Sequence, residues 1–98
     1  MLLIRELMYC KPGKVRPMVE KFVAMSSLMQ KKGLGKMRVM TDVSAERYWT
    51  IVAEFEVESI DKFLAMDSAP EMKDIGALMQ GYHDLVDHGR REIYKIEA

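Results

Sequence analysis

The stretch that most restricts the fold of this chain is residues 48–57, Tyr-Trp-Thr-Ile-Val-Ala-Glu-Phe-Glu-Val. Two sets of side chains alternate along it: Trp49, Ile51, Ala53, Phe55 and Val57 in one, and Tyr48, Thr50, Val52, Glu54 and Glu56 in the other. A period of two is typical of a strand, because successive side chains leave its opposite faces. We predict a strand whose first set, Trp49 included, packs against helices. The second set then lies on the other face of the sheet.

Three further strands are predicted. Residues 1–9 are apolar at both parities, which is typical of a strand covered on both faces, and the sequence leaves open whether Arg5 or Glu6 faces the helices. Residues 36–43 alternate, and the short connection at 44–47 favours an antiparallel hairpin with 48–57. Gly89 is read as a break before a last strand at 90–97.

Two helical regions separate these strands. From Val15 the apolar period becomes that of a helix, which Gly33 ends. Its predicted apolar stripe contains Val15, Met18, Val19, Phe22, Val23, Ser26 and Met29. Ser59 can cap a second helix that starts at Ile60 and buries Phe63 and Leu64. Ser68 and Pro70 interrupt it before a further stripe that comprises Met72, Ile75, Leu78, Met79 and Tyr82.

Composition limits the class of protein. The 98 residues are expected to form a single domain spanning 1–98, and 15 basic side chains balance 15 acidic ones. This balance argues against nucleic-acid and anionic-membrane partners, which select for a basic surface. Cys10 is the only cysteine, no stretch is long and apolar enough to span a membrane, and no signal peptide is recognised, so we expect a cytoplasmic protein.

The order strand, helix, strand, strand, helix, strand predicts an α+β protein with a ferredoxin-like βαββαβ fold, in which an antiparallel four-stranded sheet carries its helices on one face. The other sheet face is then uncovered in a monomer. Because Val52 and Met40 place apolar side chains there, we expect a second copy of the chain to cover it and form a homodimer through this face.

The chain resembles the dimeric α/β-barrel superfamily, in particular its small NIPSNAP-like branch, which is related to antibiotic-biosynthesis monooxygenases. The resemblance rests on the turn Lys11, Pro12, Gly13 and Lys14, the helix after it, the strand 48–57 with Glu58 and Ser59, and the helix that carries Phe63. It implies a homodimeric barrel with a pocket in each subunit. In some relatives it also implies oxidation of a polycyclic phenol or degradation of haem.

Catalytic residues are not identified by any strong motif, and the candidates are Glu54, Arg38 and His83. A carboxylate enclosed on the second face of the 48–57 strand either acts as a general base or pairs with Arg38 of the neighbouring strand, and we favour the pair. Candidate ligand-binding residues are those that can line a pocket or orient an aromatic molecule: Tyr9, Thr50, Val52, Tyr82 and Tyr94.

Metals and cofactors are not expected. His83 and His88 are the only histidines, and a spacing of five does not bring both to one helix face. Haem-degrading relatives bind iron through a histidine of the second helix, whereas residues 60–80 contain none here. The ten methionines are interpreted as adaptable core side chains, and they could also form a wall for an apolar ligand.

Two functions remain open on this evidence. The first is a cofactor-independent, monooxygenase-like enzyme acting on a small aromatic or apolar molecule, for which Tyr, Arg, Glu or His groups should converge on one accessible cavity. The second is a non-catalytic module for ligand binding or assembly, for which Glu54 and Arg38 should be consumed by ion pairs. We expect any pocket to lie between the sheet and the helical layer.

Overall fold

The computed structural model describes residues 1–98. Its strands are β1 (Leu2–Cys10), β2 (Arg38–Thr41), β3 (Thr50–Val57) and β4 (Val86–Lys95). Its α-helices are α1 (Val15–Lys31), α2 (Ile60–Asp67) and α3 (Met72–Leu78), and a short 3₁₀ helix at Tyr82–Asp84 leads into β4.

The four strands form one antiparallel sheet in the order β2-β3-β1-β4. The core cluster joins residues of α1 and α3 to one face of this sheet, and no helix lies on the other face, which we call the open face. This is the ferredoxin-like arrangement predicted from the order of elements. The helical layer is in three pieces because Ser68 and Pro70 interrupt it, as their positions suggested.

The strand register decides which side of β1 faces the helices. Directly paired residues share a face, and Ile4 pairs with Phe55 whereas Arg5 pairs with Glu54. Ile4 is fully buried on the helix side, so Glu6 and Met8 lie on that side with it. Arg5 therefore lies on the open face, and the choice between Arg5 and Glu6 that the sequence left open is made by pairing with β3.

The core lies between α1 and the centre of the sheet. Met18 and Phe22 of α1 are almost fully buried against Ile51 and Ala53 of β3, which confirms the predicted faces of both elements. Val23, which the helical period assigns to the same stripe, is 50% exposed and does not belong to the core cluster. Gly33, with a φ of 72°, follows the end of α1 in the left-handed conformation that favours glycine.

Three sequence predictions are wrong in detail. Trp49 is not a core residue of the strand: β3 starts at Thr50, and Trp49 is 44% exposed with a left-handed backbone (φ 63°). Gly89 does not precede β4 but lies inside it, because the strand already starts at Val86. Leu64 is 58% exposed, since the short α2 buries only Phe63.

Candidate functional site

A cavity of about 420 Å³ lies between the sheet and the helical layer, on the side where the pocket was expected. Twelve of its sixteen lining residues are hydrophobic, and seven of the ten methionines are among them. We call it the methionine cavity: Met8, Met25, Met29, Met37, Met66, Met72 and Met79 line it with Phe22, Phe55, Phe63, Ile75, Gly76 and Tyr82, and Glu6, Asp67 and Arg91 are its charged residues. Flexible thioether side chains adapt to the shape of an apolar ligand.

The helices that wall this cavity are held differently. Lys21 of α1 and Lys32, which directly follows α1, contact the region of α3. Lys21 Nζ donates to the carbonyl of Gln80 at 2.8 Å, and Lys32 Nζ lies 2.9 Å from Asp74 Oδ2. In contrast, α2 is anchored through Phe63, whose ring centroid lies 6.0 Å from that of Phe55 in β3. The packing of α2 against the sheet therefore depends on Phe63.

One end of the methionine cavity is polar. Glu6, Met8, Tyr82 and Arg91 also line an adjoining cavity of about 360 Å³, which adds His83 and several polar residues of β4. Glu6 and Arg91 form an ion pair across β1 and β4, and the Arg91 guanidinium lies 4.9 Å from the centre of the Phe63 ring. The rings of Tyr82 and His83 are 4.0 Å apart. We call Glu6, Tyr82, His83 and Arg91 the polar mouth.

Glu54 and Arg38 lie on the opposite side of the sheet from this mouth, on the open face. Arg38 Nη2 donates to Glu54 Oε1 at 2.6 Å, and Arg5 Nε lies 3.2 Å from Glu54 Oε2. The Arg5 Nε–H does not point at that oxygen and has no hydrogen-bond partner, so this second contact is electrostatic rather than a hydrogen bond. Glu54 is only 9% exposed and is held between two guanidinium groups. The pairing with Arg38 that the sequence favoured over a free general base is present.

The row of charges continues across the sheet. Arg5 Nη1 donates to Glu92 Oε1 at 3.3 Å, and Arg90 Nη2 lies 3.1 Å from Glu92 Oε2. Each of the two carboxylates is therefore shared by two arginines. Charges that are neutralised in this way order the open face and leave neither Glu54 nor Glu92 free to act as a base.

The five predicted ligand-binding residues fall into two groups. Tyr9, Thr50, Val52 and Tyr94 all lie on the open face, as the strand register requires. Tyr82 lies on the helix side and lines the methionine cavity. The first group is itself dispersed, because Tyr9 and Thr50 are buried at one end of the face whereas Tyr94 is 49% exposed at the other.

Sequence reasoning missed Glu6 and Arg91, the charged pair of the polar mouth. The directly opposed pairing of these residues on β1 and β4 requires the register, which no local pattern reveals. A weak signal was present, since Glu6 is a lone acid in a strand that is otherwise apolar on that side. His83, proposed as a catalytic candidate, does lie at this mouth.

No group of three or more His, Cys, Asp and Glu side chains is arranged to hold a metal ion. Cys10 is buried in the core, and burial, with a smaller contribution from the negative charge of Asp42, raises the pKa of its thiol above the ordinary value. No helix is long and apolar enough to cross a membrane.

Solved structures with similar folds decide the architecture. A NIPSNAP domain protein from Burkholderia xenovorans superposes with a TM-score of 0.77 at 13% identity, over 100% of this chain and 96% of its own. A dimeric protein of unknown function from Bacteroides fragilis, with a ferredoxin-like fold, gives 0.70 at 12% identity, over 97% of this chain and 96% of its own.

The chain has a ferredoxin-like fold. A protein from Nitrosomonas europaea that is provisionally assigned as an antibiotic biosynthesis monooxygenase has the same fold, with a TM-score of 0.71 at 12% identity over 100% of both chains. These are the groups of proteins that the sequence resemblance named. The sequence itself matches no family model and no curated protein. At such identities the similarity establishes the fold, and function has to be argued from the site.

Proposed function

We propose that this protein binds a small apolar or aromatic molecule in the methionine cavity, with the polar end of that molecule at the polar mouth. The observation that carries the proposal is the lining of the cavity: seven methionines and three phenylalanines surround it, and its charged residues are few. A cavity of about 420 Å³ is within the usual size range of small-molecule pockets. Burial of an apolar ring in such a site contributes about 1.5–3 kcal/mol.

Binding of the neutral fluorescent probe N-phenyl-1-naphthylamine tests this proposal. Met72→Trp places a larger side chain at a half-buried position of the lining, and we expect it to weaken probe binding by about tenfold or more, the factor that corresponds to about 1.4 kcal/mol. Met40→Trp is the matched control, because Met40 is also half-buried but lies on the open face. Equal affinities of both variants and the wild type would contradict the proposal.

Cofactor-independent oxidation is the second candidate function, and the polar mouth favours it. Glu6, Tyr82, His83 and Arg91 converge there on the end of an apolar cavity, which is the arrangement expected of an enzyme that needs a base next to a bound apolar substrate. The monooxygenase assignment of the Nitrosomonas europaea protein supports the same reaction class. In this scheme His83 removes a proton from a hydroxyl group of the substrate, and Arg91, which is ion-paired with Glu6, stabilises the anion that results. Dioxygen then oxidises this anion: one oxygen atom becomes a carbonyl oxygen of the quinone product, and the other leaves as water with the hydroxyl proton and the hydrogen displaced from the ring carbon.

Oxygen uptake with the small dihydroxynaphthalenes as substrates tests the enzymatic function. We expect uptake above the buffer rate that falls at least about tenfold in His83→Gln, the range in which removal of a general base acts, and that also falls in Glu6→Gln, which removes the ion-pair partner of Arg91. Glu54→Gln serves as the control, because Glu54 is ion-paired on the open face. Loss of uptake in Glu54→Gln but not in the other two variants would move the reaction to the open face.

A homodimer through the open face completes the proposal. Arg38, Glu54, Arg5 and Glu92 form a row of alternating charge across β2, β3, β1 and β4. A two-fold axis parallel to the strands reverses this row, so that each arginine comes opposite a glutamate of a second copy. Leu3, Met40 and Val52, which are half-buried beside the row, would then be covered. The Bacteroides fragilis protein with this fold is dimeric, which supports a homodimer here.

Light scattering tests the dimer, and the expected mass is twice that of one chain. Val52→Arg adds a cation at the centre of the open face and should shift the mass toward the monomer. Val23→Arg is the matched control, since Val23 is exposed on the helical side. A monodisperse wild-type monomer, or dissociation by the Val23 variant alone, would refute assembly through this face.

A further inference from the structure

One end of the open face is closed by a side chain from the connection between β2 and β3. Arg47 crosses to β4, where its Nη1 lies 2.8 Å from His88 Nε2, and its guanidinium carbon lies 4.6 Å from the centre of the Tyr9 ring. The Tyr9 and His88 rings are themselves 4.9 Å apart. Tyr9 is only 7% exposed, although it lies on the face that no helix covers.

The Arg47 contact determines the chemical state of His88. A guanidinium group has only donors, so His88 Nε2 must accept this hydrogen bond. A ring nitrogen that accepts carries no proton, and the imidazole is therefore neutral with its proton on Nδ1. Protonation of the ring would turn Nε2 into a donor and bring two cations into contact.

The groups around His88 are mostly neutral or cationic. Tyr9 faces it from β1, Arg47 from the connection, and Arg90 from the next position on the same side of β4. His83 and Asp87 line the same cavity as His88, and neither forms an ion pair with it. Arg90 is cationic and is paired with Glu92 at 3.1 Å. None of the ion pairs of the protein includes His88. The hydrogen bond from Arg47 can therefore form only while the imidazole is neutral.

We propose that Arg47, Tyr9 and His88 form a pH-sensitive clasp, which holds the β2–β3 connection against the sheet when His88 is neutral and releases it when His88 is protonated. The backbone on either side limits the movement. Thr50 Oγ1 donates to the Arg47 carbonyl at 2.9 Å, and the Thr50 N–H donates to Asp42 Oδ1 at 2.9 Å. Release thus moves the Arg47 side chain and the backbone between the two anchors, residues 43–46, and it uncovers the Tyr9 ring. This inference does not depend on what the methionine cavity binds.

Nitrogen-15 NMR of the histidine rings and of the backbone amides tests the clasp. At pH 8 we expect the Nδ1–H tautomer of His88 to exceed the Nε2–H tautomer by about tenfold or more, as a hydrogen bond to a charged donor would impose. Arg47→Ala should remove this preference. Between pH 8 and pH 5, where imidazole titrates, the amide resonances of residues 43–46 should shift together with the His88 ring.

The chain has two histidines, which makes a matched pair of variants available. His88→Gln keeps an acceptor for Arg47 that does not titrate, so the amides of residues 43–46 should lose their pH response. His83→Gln should leave that response intact. An Nε2–H tautomer at pH 8, or an equal pH response of these amides in His88→Gln and in the wild type, would overturn the proposal.

Discussion

Gly89 in β4 is a position where a single methyl group should destabilise the protein. It lies directly opposite Met8 of β1. A Cβ added there would lie 2.7 Å from Met8 Sδ and 2.8 Å from the backbone oxygen of Leu7. The methionine side chain can move away, but the Leu7 carbonyl belongs to the central strand of the sheet. We therefore predict that Gly89→Ala forces the β1 and β4 backbones apart.

The magnitude follows from two opposing effects. Overpacking of this kind costs about 1–3 kcal/mol, whereas replacement of glycine by alanine stabilises by about 0.4–1 kcal/mol through the unfolded chain. The net prediction for Gly89→Ala is a loss of roughly 1–2 kcal/mol in the free energy of unfolding. In a domain of this size, each kcal/mol lowers the melting temperature by about 4–8 °C.

Urea denaturation at one fixed protein concentration measures this change, since a dimer would make stability depend on concentration. Gly76→Ala is the control, because Gly76 lies inside α3 and a Cβ there would have no atom within 4 Å. That variant should gain about 0.5–1 kcal/mol from helix propensity. If Gly89→Ala were as stable as the wild type or as Gly76→Ala, the close approach of β1 and β4 at this position would be refuted.

Three further predictions concern single side chains. Ser59 Oγ accepts a hydrogen bond from the Lys62 N–H in the first turn of α2, so Ser59→Ala should remove about 1 kcal/mol of capping and lower the melting temperature. Ser68→Ala at the other end of the helix should have a smaller effect. Burial raises the pKa of the Cys10 thiol, so the stability that the protonated thiol contributes is present below the ordinary thiol pKa and is lost as the pH rises above it. Cys10→Ala should therefore flatten the decline of stability with pH in urea denaturation at alkaline pH. Native Cys10 should also react slowly with a thiol reagent, because it is buried. Glu54→Gln should cost about 1–2 kcal/mol in chemical denaturation, because it removes the buried carboxylate that Arg38 and Arg5 share and leaves the buried Nε of Arg5 without its counter-charge. A comparable loss in the exposed Glu56→Gln would contradict this reasoning.

Local patterns in the sequence were sufficient for the elements. The alternation along residues 50–57 and the helical period from Val15 predicted β3 and α1, because each pattern reflects which side of one element is buried. The capping position of Ser59 was predicted for the same local reason. The favoured Arg38–Glu54 pair followed from two neighbouring strands joined by a short connection, and it is present.

The polar mouth could not be predicted in this way. Glu6 and Arg91 are far apart in the chain, and they meet only because β1 and β4 pair in one particular register. The propensity of glycine was also misleading. Gly89 was predicted to be a break before the last strand, whereas it lies inside β4 and permits β1 and β4 to approach closely.

The sequence by itself therefore determined the order of the elements, the fold, and one buried face of β3, since these depend on periodicity within short segments. The tertiary structure alone decided which side of β1 faces the helices, because that strand is apolar at both parities and only its pairing with β3 separates Arg5 from Glu6. This one choice places the Arg5 ion pairs on the open face and Glu6 at the methionine cavity. The candidate site depends on it.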